Sequence, residues 1–461
     1  MSLDDDDQKR GVGDRLLRYA KVTSAVGGIA ARLAGEKYLG LTTDKSKHAE
    51  ILKTALGQMK GPLMKVAQLL STVPDALPDE YILELGQLQS NAPAMGWVFV
   101  KRRMLNELGP QWQDQFAHFD QKASAAASLG QVHRATLLGG EQVACKLQYP
   151  DMHSIVASDL RQLGFVFSLY EKMDATIKTH EILEELAARL YEELDYTLEA
   201  KHTNLYQLML GNEPDIHIPT IIQELSTKRL LTMSWMEGDP FKSILTHDQE
   251  FRNQVALTMF KAWYKPFYSY GIIHGDPHLG NYTIRPDGTL NLLDFGCVRV
   301  FEPSFVKGVI DLYFALLNDD RDRAVNAYEA WGFKDLSHET IDSLTTWARF
   351  LYGPILENKA REIRDDTEDG FYGKKIAHNV YESLRKSGGI TPPRSFLFMD
   401  RAAIGLGSVF MHLKANINWY EVFHGLITDF DVQALKKRQQ DILQAANLTI
   451  QNQHLLTPTI K

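Results

Sequence analysis

Apolar residues recur at helical spacing through most of residues 9–120, so the pattern predicts a helical opening segment. Breaks fall at Gly27–Gly28, at Gly61–Pro62 and at several later prolines. Within it, Asp14–Gly35 mixes Arg and Lys with apolar residues. A helix packed on its neighbours with a solvated basic face explains that mixture better than one lying on a membrane surface. Residues 121–150 change character: a small-residue loop, a strand, a Gly-Gly-Glu turn and a second strand. Alternation along that second strand puts Val143, Cys145 and Leu147 on one face and Ala144, Lys146 and Gln148 on the other. Lys146 therefore projects away from the apolar face, beside a small neighbour.

Residues 180–210 contain neither Pro nor Gly and read as one long helix. Two strands are expected next, at 218–225 and 228–240. From 248 onward helices dominate, with one interruption. Asn281–Gly296 alternates around a Pro-Asp-Gly turn and reads as a hairpin. No internal repeat is visible.

At 461 residues the chain is long enough for two or three lobes. It is 44% hydrophobic and 23% charged, as soluble globular proteins are. A net charge of −8 disfavours bulk nucleic-acid binding. The two cysteines, Cys145 and Cys297, cannot build a disulfide framework, which fits a reducing compartment and a cytoplasmic location. No apolar run reaches the roughly 18–20 residues of a membrane span, and the polar opening MSLDDDDQKR does not read as a secretory signal. Any membrane contact is expected to be peripheral.

The densest chemistry lies in His274–Tyr282, HGDPHLGNY. A zinc site would draw on His274, His278 and Asp276, but the two histidines are separated by a proline in a loop and no cysteine is near. The stretch holds no Ser or Cys nucleophile. Phosphoryl transfer fits better. It needs a carboxylate near the acceptor oxygen, an amide oxygen on a metal and a second carboxylate on the metal. Asp276, Asn281 five residues on, and Asp294 in a trailing Asp-Phe-Gly meet that requirement at kinase spacing. Lys146 precedes them on a strand, and acidic residues follow it on the long helix. Met233, Ser234, Trp235 and Met236 stand where a hinge would offer backbone groups to adenine. His274 and His278 then brace the loop.

Four segments make the chain resemble a known family, the ABC1 (UbiB, COQ8) atypical kinase-like proteins. They are MKVAQLLSTVPDALPDEY at 64–81, ASAAASLGQVHRA at 123–135, EELDYTLEA at 192–200, and HGDPHLGN with its trailing DFG. The resemblance covers about residues 55–305. It departs from the family pattern at Ala67, His202, Ser234 and Leu279, none of which removes a charged catalytic group.

The resemblance implies an α+β, two-lobed protein-kinase-like fold with a helical N-terminal extension over the active site. The extension would span 1–120, the N-lobe 121–238 and the C-lobe 239–461. It implies ATP or ADP with Mg²⁺, and a setting in ubiquinone or isoprenoid-lipid metabolism, with a lipid or quinone precursor and biosynthetic enzymes as partners. Ala125, Ala126, Ala127 and Ser128 would form the phosphate loop, stiffer than a glycine loop because each alanine Cβ restricts the backbone. Ala144, Lys146, Met233, Trp235 and Met236 would hold the nucleotide, and Asn281 and Asp294 the metal. Asp276 would serve the acceptor. Asp195 and Glu199 share a face of one ideal helix, and Glu199 is the expected partner of Lys146. Glu193 and Asp195 would meet Lys65 and Gln68 of the extension. Two rival functions remain: a small-molecule phosphotransferase of the aminoglycoside or choline kinase type, and a nucleotide-dependent scaffold without catalysis.

Overall fold

A computed structural model describes residues 94–126, 129–171, 179–363 and 393–449. Helix α1 (Trp97–Leu108) leads into an antiparallel sheet of β1 (Phe116–Phe119), β2 (Ala125–Ala126), β3 (Gly130–Leu137) and β4 (Gln142–Gln148). The sheet starts at Phe116, ahead of the edge expected at 121, because β1 pairs with β3. Gly140, at φ +93°, turns β3 into β4. The alternation along β4 is realised. Val143, Cys145 and Leu147 join Val100 and Met104 of α1 in the N-lobe core, which leaves Lys146 on the opposite face.

Helices α2 (Met152–Glu171), α3 (Thr179–Glu193) and α4 (Tyr196–Leu210) follow. The single helix expected over 180–210 is therefore two. Asp195 causes the break. Its backbone leaves the helical region at φ −100°, ψ 88°, and its carboxylate accepts from the N–H groups of Thr197 at 3.0 Å and Leu198 at 3.2 Å. That is an N-cap, which starts α4 afresh. The buried Gln148 of β4 donates to the Leu194 carbonyl at 3.0 Å and anchors the break to the sheet.

Strand β5 (Ile216–His217) and β6 (Leu230–Ser234) come next, and β6 pairs with β4 to complete the sheet, with Met233 opposite Ala144. The strand expected at 218–225 forms only as a bridge from Ile221 to Met233, then a 3-10 turn at Gln223–Leu225. Pro219 cannot donate to a ladder. The Ser226 hydroxyl also takes the Ile222 carbonyl at 2.8 Å, a local bond that competes with strand pairing.

The C-lobe is mainly helical. After β7 (Asp239–Pro240), α5 (Gln249–Tyr270) starts on an Asp248 cap and ends at Gly271 in the left-handed region, φ +67°. Strand β8 (Ile272–His274) then carries the chain into the HGDPHLGN loop. The predicted hairpin forms as β9 (Tyr282–Ile284) and β10 (Leu290–Leu292), and β11 (Val298–Val300) pairs back onto β8. Beyond lie α6 (Pro303–Asn318), α7 (Arg321–Ala330), α8 (His338–Tyr352), α9 (Arg394–Leu413), α10 (Trp419–Ile427) and α11 (Val432–Ala445). Their apolar faces bury Trp263, Phe267, Tyr313, Trp419 and Phe423 in one core. The two-lobed α+β arrangement expected from the sequence is the one observed. Among the described residues no helix is long and apolar enough to cross a membrane.

Candidate active site

A cavity of about 570 Å³ opens between the sheet and the C-lobe loops, within the range of small-molecule and cofactor sites. Sheet, helices and loops each contribute expected residues to its wall. Ala125, Ala126, Ala144 and Lys146 come from the sheet, Glu193 and Glu199 from α3 and α4, and Met233, Trp235 and Met236 from β6 and its exit. Asp276, Asn281 and Asp294 close it from below. Asp195 is turned to the cap of α4 instead, so the shared face with Glu199 expected of one continuous helix does not exist. Ala127, Ser128, Lys65 and Gln68 lie outside the described residues.

Lys146 is the centre of charge. Its ammonium donates to Glu199 Oε1 at 2.6 Å and to Asp294 Oδ2 at 3.0 Å. It also sits 5.3 Å from the centroid of the Tyr196 ring, a cation–π contact. Glu199 is 3% exposed and Asp294 is 36% exposed, so one carboxylate is structural and the other faces the cavity. Burial works against the Lys146 charge, yet the Asp294 and Glu199 carboxylates outweigh it and hold the ammonium well above its ordinary value. Burial also pushes the Glu199 carboxyl up to about 7, against the pull of Lys146. These two directions oppose each other across one contact. The 2.6 Å bond favours the ionised pair, because a protonated Glu199 would leave Lys146 facing Asp294 alone.

The loop after β8 is held by its own histidine. His274 Nδ1 accepts from the Asp276 N–H at 3.2 Å, and Nε2 donates to the Asp294 carbonyl at 2.5 Å. These two bonds fix the tautomer and tie the loop to the Asp-Phe-Gly segment. Asn281 Nδ2 donates to the Asp276 carbonyl at 3.1 Å, so its amide oxygen is the atom left for a cation. His278 is exposed and accepts from the Gly280 N–H at 3.1 Å. The two histidines thus serve separate backbone bonds and do not converge on one point.

Sequence reasoning gave His202 no role. It is buried on α4, and its Nδ1 donates to the Phe295 carbonyl at 3.1 Å. His202 and His274 therefore hold consecutive carbonyls of the Asp-Phe-Gly segment from two different elements. The Phe295 ring is locked between Tyr206 and His274, with centroids 5.0 and 5.8 Å away. Only tertiary contact reveals this; the signals in the sequence were a histidine three residues after Glu199 on the same helix and the departure from the family pattern at that position.

Burial depresses the His202 pKa to about 4, and its Nε2 is buried without a protein partner among the described residues. The unfolded chain, near 6.5, binds a proton that the fold excludes between those values, so stability falls as pH drops through that window. Wild type is expected to lose about 2 kcal/mol more than His202→Asn between pH 7 and pH 5. Denaturant midpoints at the two pH values measure it, and equal losses in both proteins would remove His202 as the source.

A model of the ABC1 atypical kinase-like domain matches residues 87–328. A probable serine/threonine-protein kinase of Dictyostelium discoideum is 26% identical over 88% of this chain and 78% of its own length. The chloroplastic Activity of BC1 Complex Kinase 7 of Arabidopsis thaliana is 31% identical over 61% of this chain and 42% of its own. The mitochondrial atypical kinase COQ8B of Rattus norvegicus is 28% identical over 64% of this chain and 58% of its own. This chain thus spans less than two thirds of the plant and rat relatives. Among solved structures, the complex of Rv3197 with erythromycin from Mycobacterium tuberculosis superposes with a TM-score of 0.58 at 25% identity. That match covers 83% of this chain and 96% of the mycobacterial one.

Proposed function

Since this chain belongs to the ABC1 atypical kinase-like family, we propose that it binds adenine nucleotide with Mg²⁺ and either hydrolyses ATP or passes its terminal phosphoryl group to a lipid-like acceptor. One observation carries the reading. Lys146, Glu199, Asp276, Asn281 and Asp294 line the same cavity, and they are the residue types phosphoryl transfer requires.

The residues present fit both groups. A half-exposed carboxylate at Asp294 and an amide oxygen at Asn281 are hard oxygen donors of the kind Mg²⁺ takes. Gly130 at the start of β3 lines the cavity and packs closely on its neighbours: a Cβ there would lie 2.4 Å from the Leu147 carbonyl oxygen and 2.8 Å from the Tyr196 hydroxyl. Bound Mg²⁺ would draw charge from the phosphate oxygens. The chain's own groups do the rest. Asp294 and Asn281 would hold the cation, while Lys146, anchored by Glu199 at 2.6 Å, would offer its ammonium to the phosphates. Asp276 orients the acceptor hydroxyl or water and takes its proton. Met233, Trp235 and Met236 line the side of the cavity where the base would lie, and Ala125 and Ala126 would flank the phosphates.

The rat relative's name and the family suggest the setting: ubiquinone or other isoprenoid-lipid metabolism, with a quinone precursor or its biosynthetic enzymes as partners and peripheral membrane contact at most. The test is phosphate release from Mg²⁺-ATP by the purified chain, with and without a total lipid extract, and mass spectrometry of the lipids. Turnover that vanishes with chelator supports the reading. An absence of both release and phosphorylated lipid would remove it and leave the scaffold role.

A further inference from the structure

Helix α9 carries a half-buried glycine, Gly405, beside its buried stripe. Ala402, Leu406 and Val409 face the C-lobe core, and Gly405 adjoins them at helical spacing. Glycine inside a helix is destabilising relative to alanine, so the position calls for a packing reason. That reason lies directly opposite. A Cβ on Gly405 would stand 2.2 Å from Pro277 Cγ, 3.3 Å from its Cβ and 3.4 Å from its Cδ. The proline ring is seated against the bare backbone of α9. Closed onto its own nitrogen, the ring has no rotamer through which to swing aside.

Pro277 directly follows Asp276. The Asp276 backbone is already held through its N–H by His274 and through its carbonyl by Asn281. Contact with α9 fixes the next residue from another side. We propose that Gly405 is a positioning residue: the notch it leaves in α9 seats Pro277 and so sets where the Asp276 carboxylate stands relative to the acceptor. The inference rests on reading Asp276 as the acceptor-side carboxylate.

Gly405→Ala must move Pro277 by about an ångström to reach ordinary contact, and a misplacement of that size costs about 100-fold in turnover. Affinity for ATP and Mg²⁺ should stay within about twofold of wild type, because the contact lies on the acceptor side. The double variant Gly405→Ala with Pro277→Ala removes the ring atoms that clash and should recover about tenfold or more of the loss. Gly425→Ala on α10 is the control. A Cβ there meets nothing within 4 Å, and turnover should not change.

The experiment measures kcat and KM for ATP hydrolysis at saturating Mg²⁺, with melting temperature, for all four proteins. A kcat loss in Gly405→Ala, at unchanged KM, that the double variant reverses is the expected result. If Gly405→Ala does not fold, a double variant that folds and turns over gives the same answer. Unchanged kcat in Gly405→Ala would overturn the proposal. So would a loss, of activity or of folding, that Pro277→Ala does not relieve. A wild type that turns over no nucleotide removes the reading of Asp276 itself, and the inference goes with it.

Discussion

Asp276→Asn is expected to lower turnover by about 10²–10⁴-fold while leaving nucleotide affinity nearly unchanged. The separation follows from the geometry. The side chain lines the cavity, but the loop is tied down through the Asp276 backbone, by His274 on the N–H and Asn281 on the carbonyl. Asparagine keeps both of those bonds and the side-chain volume. It loses the charge that the proposed role needs to orient and deprotonate the acceptor. Lys146, Asn281 and Asp294, the residues proposed for the nucleotide and the metal, are untouched. Steady-state kinetics beside a direct binding measurement checks the division. Undiminished turnover would take Asp276 out of the chemistry, and a collapse in affinity would assign it to the nucleotide instead.

Asp294→Asn should act on the other half of the site. One Asp294 oxygen accepts from the Gly296 N–H at 3.0 Å and the other faces Lys146 at 3.0 Å. The amide preserves the first bond, so the segment keeps its shape. It removes the carboxylate that would hold Mg²⁺ and one of the two counter-charges on Lys146. Wild type with ATP at about a hundred times its Kd gains about 2.7 kcal/mol of stability. That gain should depend on Mg²⁺ in the wild type and disappear in the variant. Melting curves with ATP, with and without Mg²⁺, report it directly. A variant that keeps the full Mg²⁺-dependent rise would place the metal elsewhere.

Much of this site could be read from local pattern. Period-two alternation along β4 was enough to aim Lys146 away from the core. The spacing of Asp276, Asn281 and Asp294 was enough to suggest their roles, because it matches the catalytic loop and the Asp-Phe-Gly motif of kinases. The α+β class followed from the family resemblance those motifs carry. What escaped was set by side-chain bonds, some local and some distant. The break between α3 and α4 hides in a stretch without Pro or Gly, although Asp195, Tyr196 and Thr197 are weaker helix formers. Asp195 becomes a cap there while Gln148, far away on the sheet, takes the Leu194 carbonyl. The His202 bond to Phe295 joins positions 93 apart. The missing strand at 218–225 failed because Ser226 found a local partner, which apolar content does not reveal.

Titration calorimetry of the wild-type chain with ATP, first with Mg²⁺ and then with chelator, tests the central claim most directly. The account predicts one nucleotide per chain, bound at least about tenfold more weakly without Mg²⁺ and more weakly again in Lys146→Ala, where the phosphate-facing cation is lost. Absence of binding, or binding indifferent to both Mg²⁺ and Lys146, would contradict it.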